Sequence, residues 1–293
     1  MATRPEQLAP PEVFYNDTEA RKYTTSSRMV EIQANLTERA LELLNLPEDG
    51  EPKLLLDLGC GSGLSGESLT ECGHHWLGMD ISEAMLDVAC EREVEGDVML
   101  SDIGQGLPLR TGVFDGAISI SAIQWLCNAD KTANDPRQRL KAFFQTLYRS
   151  LARGARAVLQ FYPDGPKQVE MISSAAMRVG FSGGLVVDFP HSTRAKKYFL
   201  VLMAGPPSVN STLPKAKGVD GGSESNEDDV SEDDEGATVE FADRQRHAKR
   251  RRKDGKRGKG RSWILNKKRQ QREKGVEVPA DTKYTGRKRK ARF

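Results

Sequence analysis

An apolar run that empties into a glycine loop, LLLDLGCGSGLSG over residues 54–66, constrains this chain more than any other feature. A short strand that is apolar on both faces belongs in the middle of a parallel sheet covered by helices on either side. Glycines in the loop let the backbone turn tightly and approach a ligand, and a helix that starts there aims unpaired amides at it. The first two hundred residues carry on in the same style. Spacing predicts an amphipathic helix over 26–46, with Met29, Ile32, Leu36, Ala40 and Leu43 on one face and Pro47 and Gly50 ending it. Strands follow over 53–58, 75–80, 97–101, 114–121, 155–162, 185–188 and 198–203. Helices lie between them after the loop, after the N-cap Ser82, over 136–151 with Gly154 as its cap, and over 169–179. Strands alternating with helices call for a doubly wound, Rossmann-like α/β fold. Two final strands with no helix between them predict a terminal antiparallel hairpin on a seven-stranded, mostly parallel sheet.

Gly61-Ser62-Gly63-Leu64-Ser65-Gly66 satisfies G-x-G-x-x-G, the dinucleotide pattern, which is a weak signal alone. The context is sharper. Asp57 precedes Gly59, Gly61 and Gly63, giving the D-x-G-x-G-x-G form of the S-adenosylmethionine loop, with Cys60 and Ser62 between the glycines. Asp80, at the end of the second strand and followed by Ile81, can accept hydrogen bonds from both hydroxyls of a ribose. Asp102 ends the third strand; the loop's likeness to class I methyltransferases implies that this position takes the adenine amino group while its neighbour, Ile103, packs on the ring. Ser121 at the end of the fourth strand completes the expected cofactor set. Each acid alone is as readily a helix cap or a solvated turn. Their joint spacing favours adenosylmethionine over NAD.

Charge is unevenly spread. The total is +2, but the last fifty residues hold 22 of the 44 lysines and arginines against four acids, a balance of +18 that leaves −16 on the rest. Four domains are expected: an N-terminal helical cap (1–50), a cofactor-binding core (51–204), an acidic linker (205–243) and a basic tail (244–293). Neither charged block can bury apolar surface, so both are expected to be disordered alone. The clusters at 247–253 and 287–290 suffice as nuclear import signals and as a phosphate-binding arm, with Trp263 and Tyr284 interleaved. No apolar run approaches the ~18 residues of a membrane span, and no signal-peptide core opens the chain. Cys60, Cys72, Cys90 and Cys127 have no CxxC spacing, so free thiols in a reducing compartment are expected and no metal site.

Four segments, PPEVFYNDTEARKYTTSSRMVEIQ, LLDLGCGSGLSG, SAIQWLCNAD and the tail SWILNKKRQQREKGVEVPADTKYTGRKRKARF, make the chain resemble the eukaryotic 18S rRNA (guanine-N7)-methyltransferase family over nearly its whole length. The resemblance implies a nuclear and nucleolar enzyme of small-subunit biogenesis, acting on 18S rRNA in a pre-40S particle. It also implies a small zinc-binding activator subunit that carries the zinc itself. Such a subunit could add a strand at the open edge near residues 97–101. Guanine N7 has a free lone pair at neutral pH, so transfer needs no general base, only orientation. Past the fourth strand, Gln124 could hydrogen-bond a guanine edge and Trp125 could stack on it, with core packing the alternative for Trp125. Tyr15, Tyr23 and Arg28 form a lid over the cofactor or part of a packed N-terminal helix. Two other functions stay open: a preribosome assembly factor whose catalysis is dispensable, and a small-molecule methyltransferase, for which the basic tail would have no use.

Overall fold

The computed structural model of the chain describes residues 4–47, 49–129, 134–192, 195–205, 215–218 and Lys268. The apolar run is β1 (Leu54–Leu58), and it pairs in parallel with β2 (His75–Asp80) on one side and β4 (Phe114–Ile120) on the other. β3 (Asp97–Leu100) lies outside β2, and β5 (Leu151–Phe161) lies beyond β4, both parallel to their neighbours. β7 (Lys197–Met203) runs antiparallel between β5 and the edge strand β6 (Ser182–Asp188). The order β3-β2-β1-β4-β5-β7-β6 is the mostly parallel sheet with a terminal hairpin that the alternation predicts.

Helices α1 (Pro11–Phe14), α2 (Asp17–Thr25) and α3 (Ser27–Leu44) precede the sheet, and α4 (Leu64–Glu71), α5 (Glu83–Glu91), α6 (Pro136–Ser150) and α7 (Pro166–Val179) connect its strands. β1 shows why its sequence reads as continuous apolar. Leu55 packs with Leu36, Ala40 and Leu43 of α3 and Leu69 of α4. Leu56 and Leu58 point the other way, into the layer of Leu140, Phe143 and Leu147 of α6 and Ile172 of α7. Each such side chain contributes about 1.5–3 kcal/mol on burial. Caps fall where short polar residues stand: Ser82 accepts from the Met85 amide, Asn16 from Thr18 and Glu19, and Asp135 from Arg137 and Gln138.

Four local expectations change. α3 ends at Leu44, ahead of Pro47, because Asn45 takes the left-handed conformation (φ 48°) and its N–H closes on the Leu41 carbonyl. Gly154 does not cap α6. That helix passes straight into β5 at Leu151, and Gly154 (φ 85°) sits within the strand, where the pairing with β4 shifts register between Phe114 and Gly116. The third strand stops at Leu100, and Asp102 instead caps the 3-10 turn Ile103–Gln105. The packed structure also reaches past residue 204. Buried Arg39 donates from Nε to Asp188 (2.8 Å) and from Nη2 to the Lys215 carbonyl (2.8 Å), and the Lys217 amide donates to Asp188 (2.8 Å). A buried ion pair needs its remaining valences filled, and backbone at 215–217 fills them.

The chain divides into two compact units, Met1–Ala242 and Asp243–Phe293. The acidic block and, Lys268 apart, the basic tail lie outside the described residues. Among the described residues no helix is long and apolar enough to cross a membrane.

Candidate cofactor site and acceptor chamber

A cavity opens at the carboxyl ends of β1, β2 and β4. It is lined by Gly59, Cys60, Gly61 and Ser62 of the loop, by Asp80 and Ile81 after β2, by Asp102 and Ile103 after β3, and by Ser121 and Trp125 after β4. The loop is held against the far wall. A Cβ built on Gly59 (φ +80°) would overlap the Ala122 Cβ, so only glycine fits there. Farther along, a Cβ at Gly66 would enter the Trp76 ring, which is how α4 packs close on β2.

Asp80 is the hub. Its Oδ2 accepts from the Gly61 amide (2.9 Å) and its Oδ1 from the Ser82 amide (2.8 Å), tying the loop to the start of α5. Burial raises its carboxyl above the ordinary aspartate value. Both oxygens keep a further lone pair beside the cavity, and a vicinal diol supplies the two donors that a partly desolvated carboxylate lacks. Asp102 also faces the cavity. Its Oδ1 accepts from Gly104 N (2.9 Å) and from Arg139 Nη2 (2.6 Å), while Oδ2 has only a 3.4 Å contact from Gln105 and remains an acceptor for an amino group. Ile81, Ile103 and Met85 supply apolar walls between the two acids. This donor and acceptor set fits an adenosine moiety, with Asp80 for the ribose and Asp102 for the base.

Asp57 is placed differently from a ligand contact. It is fully buried beneath the loop, accepts from Ser65 Oγ (2.6 Å), and leaves Oδ1 without a partner among the described residues. Burial pushes its carboxyl up to about 7. Gly63 likewise lies behind the cavity as the left-handed N-cap of α4, and Cys60, whose thiol burial holds well above its usual value, is protonated.

The N-terminal segment crosses over this cavity. Tyr15 and Tyr23 line it, whereas Arg28 is exposed and lines neither this cavity nor the chamber behind it. The segment is fastened on several sides: Ser82 Oγ donates to the Tyr15 carbonyl (2.8 Å), Thr24 Oγ1 to Ser62 Oγ (2.7 Å), and Arg21 pairs with Glu91. Ala20 packs on Met85 and Val88 of α5. Tyr15 stacks edge-on to Phe14 (5.0 Å) and Tyr23 (5.9 Å) and tilts against Trp125 (5.9 Å).

Behind these aromatics lies a second chamber of about 600 Å³, within the range of small-ligand pockets. Phe14, Met29, Ile32, Gln124 and Tyr162 line it, and it shares Tyr15, Tyr23, Gln33, Ser121 and Trp125 with the first cavity. Ser121 adopts a left-handed conformation (φ 56°), rare for a residue with a side chain. Gln160 holds it there, accepting from its amide (3.0 Å) and hydroxyl (2.8 Å), and Gln124 Nε2 donates to its carbonyl (2.9 Å). Gln124 therefore already has a local task, and its Oε1 is buried without a partner among the described residues. Sequence reasoning missed Gln33, Arg139 and Gln160. Gln160 is a lone polar residue in an apolar strand, and Gln33 and Arg139 sit in helices that carry other polar residues, so nothing but their spatial neighbours marks them.

Known proteins resemble the chain in both its core and its tail. Residues 56–159 match a family described as "Methyltransferase domain", and residues 202–291 match one described as "Methyltransferase involved in Williams-Beuren syndrome". The second match runs from β7 through the basic tail. The 18S rRNA (guanine-N(7))-methyltransferase RID2 of Arabidopsis thaliana is 62% identical over 293 residues, covering 100% of each chain. The 18S rRNA (guanine-N(7))-methyltransferase of Mus musculus is 54% identical over 99% of this chain and 98% of its own. The 18S rRNA (guanine(1575)-N(7))-methyltransferase of Saccharomyces cerevisiae is 51% identical over 99% and 100%. Among solved structures, a putative S-adenosyl-L-methionine-dependent methyltransferase of Methanococcus maripaludis shares the fold, with a TM-score of 0.50 and 13% identity over 66% of this chain and 95% of that one. Identity at this level from end to end means that the chain belongs to the 18S rRNA (guanine-N7)-methyltransferase family.

Proposed function

We propose that this chain transfers a methyl group from S-adenosylmethionine to N7 of one guanine in 18S rRNA during assembly of the small ribosomal subunit. The observation that carries the proposal is the junction of two cavities, one lined by Asp80 and Asp102 and the other by aromatic side chains, through a shared wall of Tyr15, Tyr23, Gln33, Ser121 and Trp125. Asp80 holds the ribose, Asp102 the adenine amino group, Ile81 and Ile103 the ring, and Gly59, Cys60, Gly61 and Ser62 form the turn around the remainder, with Gly63 behind them starting α4. Asp57 acts from beneath, fixing that turn through Ser65. Bound S-adenosylmethionine supplies an electrophilic methyl group on a sulfonium.

Guanine N7 attacks with its own lone pair, and no proton leaves it, so the protein's task is orientation. Tyr15, pushed up to about 12 by burial, and Tyr23, raised further in the same way, stay protonated and are not bases at neutral pH. Trp125 offers a face for the flipped base, and Gln124 positions the substrate by holding the Ser121 turn between the two cavities.

The chain works with a small zinc-binding activator subunit at the open edge of β3. Among the described residues that edge pairs on one side only, with β2, and it carries Leu100 at 55% exposure, an arrangement that invites an added strand. The basic tail directs the protein to the nucleus and nucleolus and holds rRNA phosphates. Deleting residues 244–293 should flatten the salt dependence of preribosome binding, and an unchanged slope would remove the tail's RNA role. The direct test is methyl transfer to pre-40S particles by the full chain co-expressed with its activator. Label recovered in N7-methylguanine supports the proposal, and label only at other positions contradicts it.

A further inference from the structure

Gln33 sits where an apolar residue is expected. It lies on the buried face of α3, in line with Leu36, Thr37, Ala40, Leu43 and Leu44, and is 7% exposed. No side-chain hydrogen bond ties Gln33 to the other described residues, and its amide atoms are not among the fully buried ones, so they open onto the cavities; its own carbonyl takes the Thr37 hydroxyl (2.8 Å). It belongs at once to the wall of the cofactor cavity and to the wall of the aromatic chamber. An unpaired amide at the junction of two cavities is satisfied by what fills them.

We infer that Gln33 positions the acceptor guanine, its Nε2 donating to guanine O6. This rests on the reaction proposed above. The junction is where the nucleophile must come to meet the methyl group, so the base edge that reaches it is the one carrying N7 and O6, both acceptors. A donor aimed at N7 itself would occupy the attacking lone pair. O6, its neighbour on the same edge, can accept from Gln33 and leave N7 free. One such bond fixes the in-plane rotation of the base and so the line of attack. Trp125 and Tyr15, as stacking faces, cannot set that angle.

Two substitutions of similar shape separate this role from others. Gln33→Met removes the amide, and Gln33→Glu keeps the length but offers no donor. Each should lower kcat for methyl transfer to pre-40S particles by about 10–100-fold, with KM for RNA and Kd for S-adenosylmethionine within about threefold of wild type. Thermal stability should be unchanged for Gln33→Met, since the amide bonds to no other described residue, whereas a structural amide would lower it. Full activity in Gln33→Glu overturns the donor assignment. A cofactor Kd that weakens in step with kcat makes Gln33 a cofactor contact and overturns the inference. A wild-type chain that forms no N7-methylguanine overturns the inference and the proposed reaction together, whereas wild-type product with undiminished Gln33→Met activity overturns the inference alone.

Discussion

Removing the Asp80 carboxylate should weaken S-adenosylmethionine binding more than any other single truncation in the cavity. Asp80→Ala deletes an acceptor that ties Gly61 (2.9 Å) and Ser82 (2.8 Å) together and presents two further lone pairs to the ligand. Hydrogen bonds to a charged group contribute about 1.5–3 kcal/mol each. Two lost to a diol, partly replaced by water in the space left behind, give about 2–4 kcal/mol, or about 30- to 1000-fold in Kd. Asp80→Asn keeps one acceptor oxygen and should fall between. The pH dependence carries a second, independent signature. Burial raises the Asp80 carboxyl, and the ionised form is the one that accepts both hydroxyls. Cofactor affinity is therefore full above that raised pKa and is lost as pH falls through it, in a range where an ordinary aspartate would still be ionised. Asp80→Asn should show no such dependence. Isothermal titration calorimetry on the full chain reads both effects. An Asp80→Ala Kd within about threefold of wild type, or the same acid dependence in Asp80→Asn, would refute the assignment of Asp80 to the ribose.

Three further outcomes follow from the geometry. Asp57 has a folded-state carboxyl pushed up to about 7 by burial, against about 3.9 in the unfolded chain, so the folded protein holds the extra proton between those values. Stability should fall as pH rises through that window. Asp57→Asn should flatten the decline in denaturant titrations, and an equal slope would count against a shifted Asp57. Gly59→Ala drives a Cβ into that of Ala122 and forces φ +80° on an L-residue, which costs about 1–2 kcal/mol before any overlap. Cofactor affinity should drop at least about tenfold, and adding Ala122→Gly should recover part of it, because the overlap is relieved and the backbone strain is not. Arg39→Met leaves the Asp188 carboxylate buried with the Lys217 amide but without its counter-charge, and should cost about 3–5 kcal/mol in chemical denaturation, part of it returned in Arg39→Met/Asp188→Leu, which still strands the Lys217 amide.

The fold was legible because burial on both faces writes itself into composition. Leu54, Leu55, Leu56 and Leu58 admit few homes other than a central parallel strand, and the missing helix between β6 and β7 gives away the hairpin. Boundaries were less legible, since they turn on conformations that several residue types can adopt. Asn45 ended α3 where Pro47 looked the stronger stop, and Gly154 served a strand rather than a helix. In the site, Asp80 could be placed by its position at a strand end ahead of the N-cap Ser82. For Asp57 the motif could be seen but not its orientation. Strand periodicity puts it on the α4 face with Leu55, under the loop, where Ser65 takes it. Arg28 reads in sequence either as a lid residue or as part of a packed N-terminal helix; it lies in α3, whose inward stripe passes through Ile32, Gln33 and Leu36 and leaves it in solvent. Gln33 and Gln160 are unremarkable in sequence. Their meaning depends on which cavity or turn the fold brings to them.

Methylation of guanine N7 in 18S rRNA by this chain is tested most directly by borohydride/aniline cleavage of 18S rRNA from cells with and without the protein. N7-methylation makes the backbone cleavable at the modified guanine. One cleavage band should be present with the wild-type chain, absent without it, and absent again when the only copy carries Asp80→Ala. A band that persists after the protein is removed, or that returns with the Asp80→Ala chain, would contradict the proposed reaction.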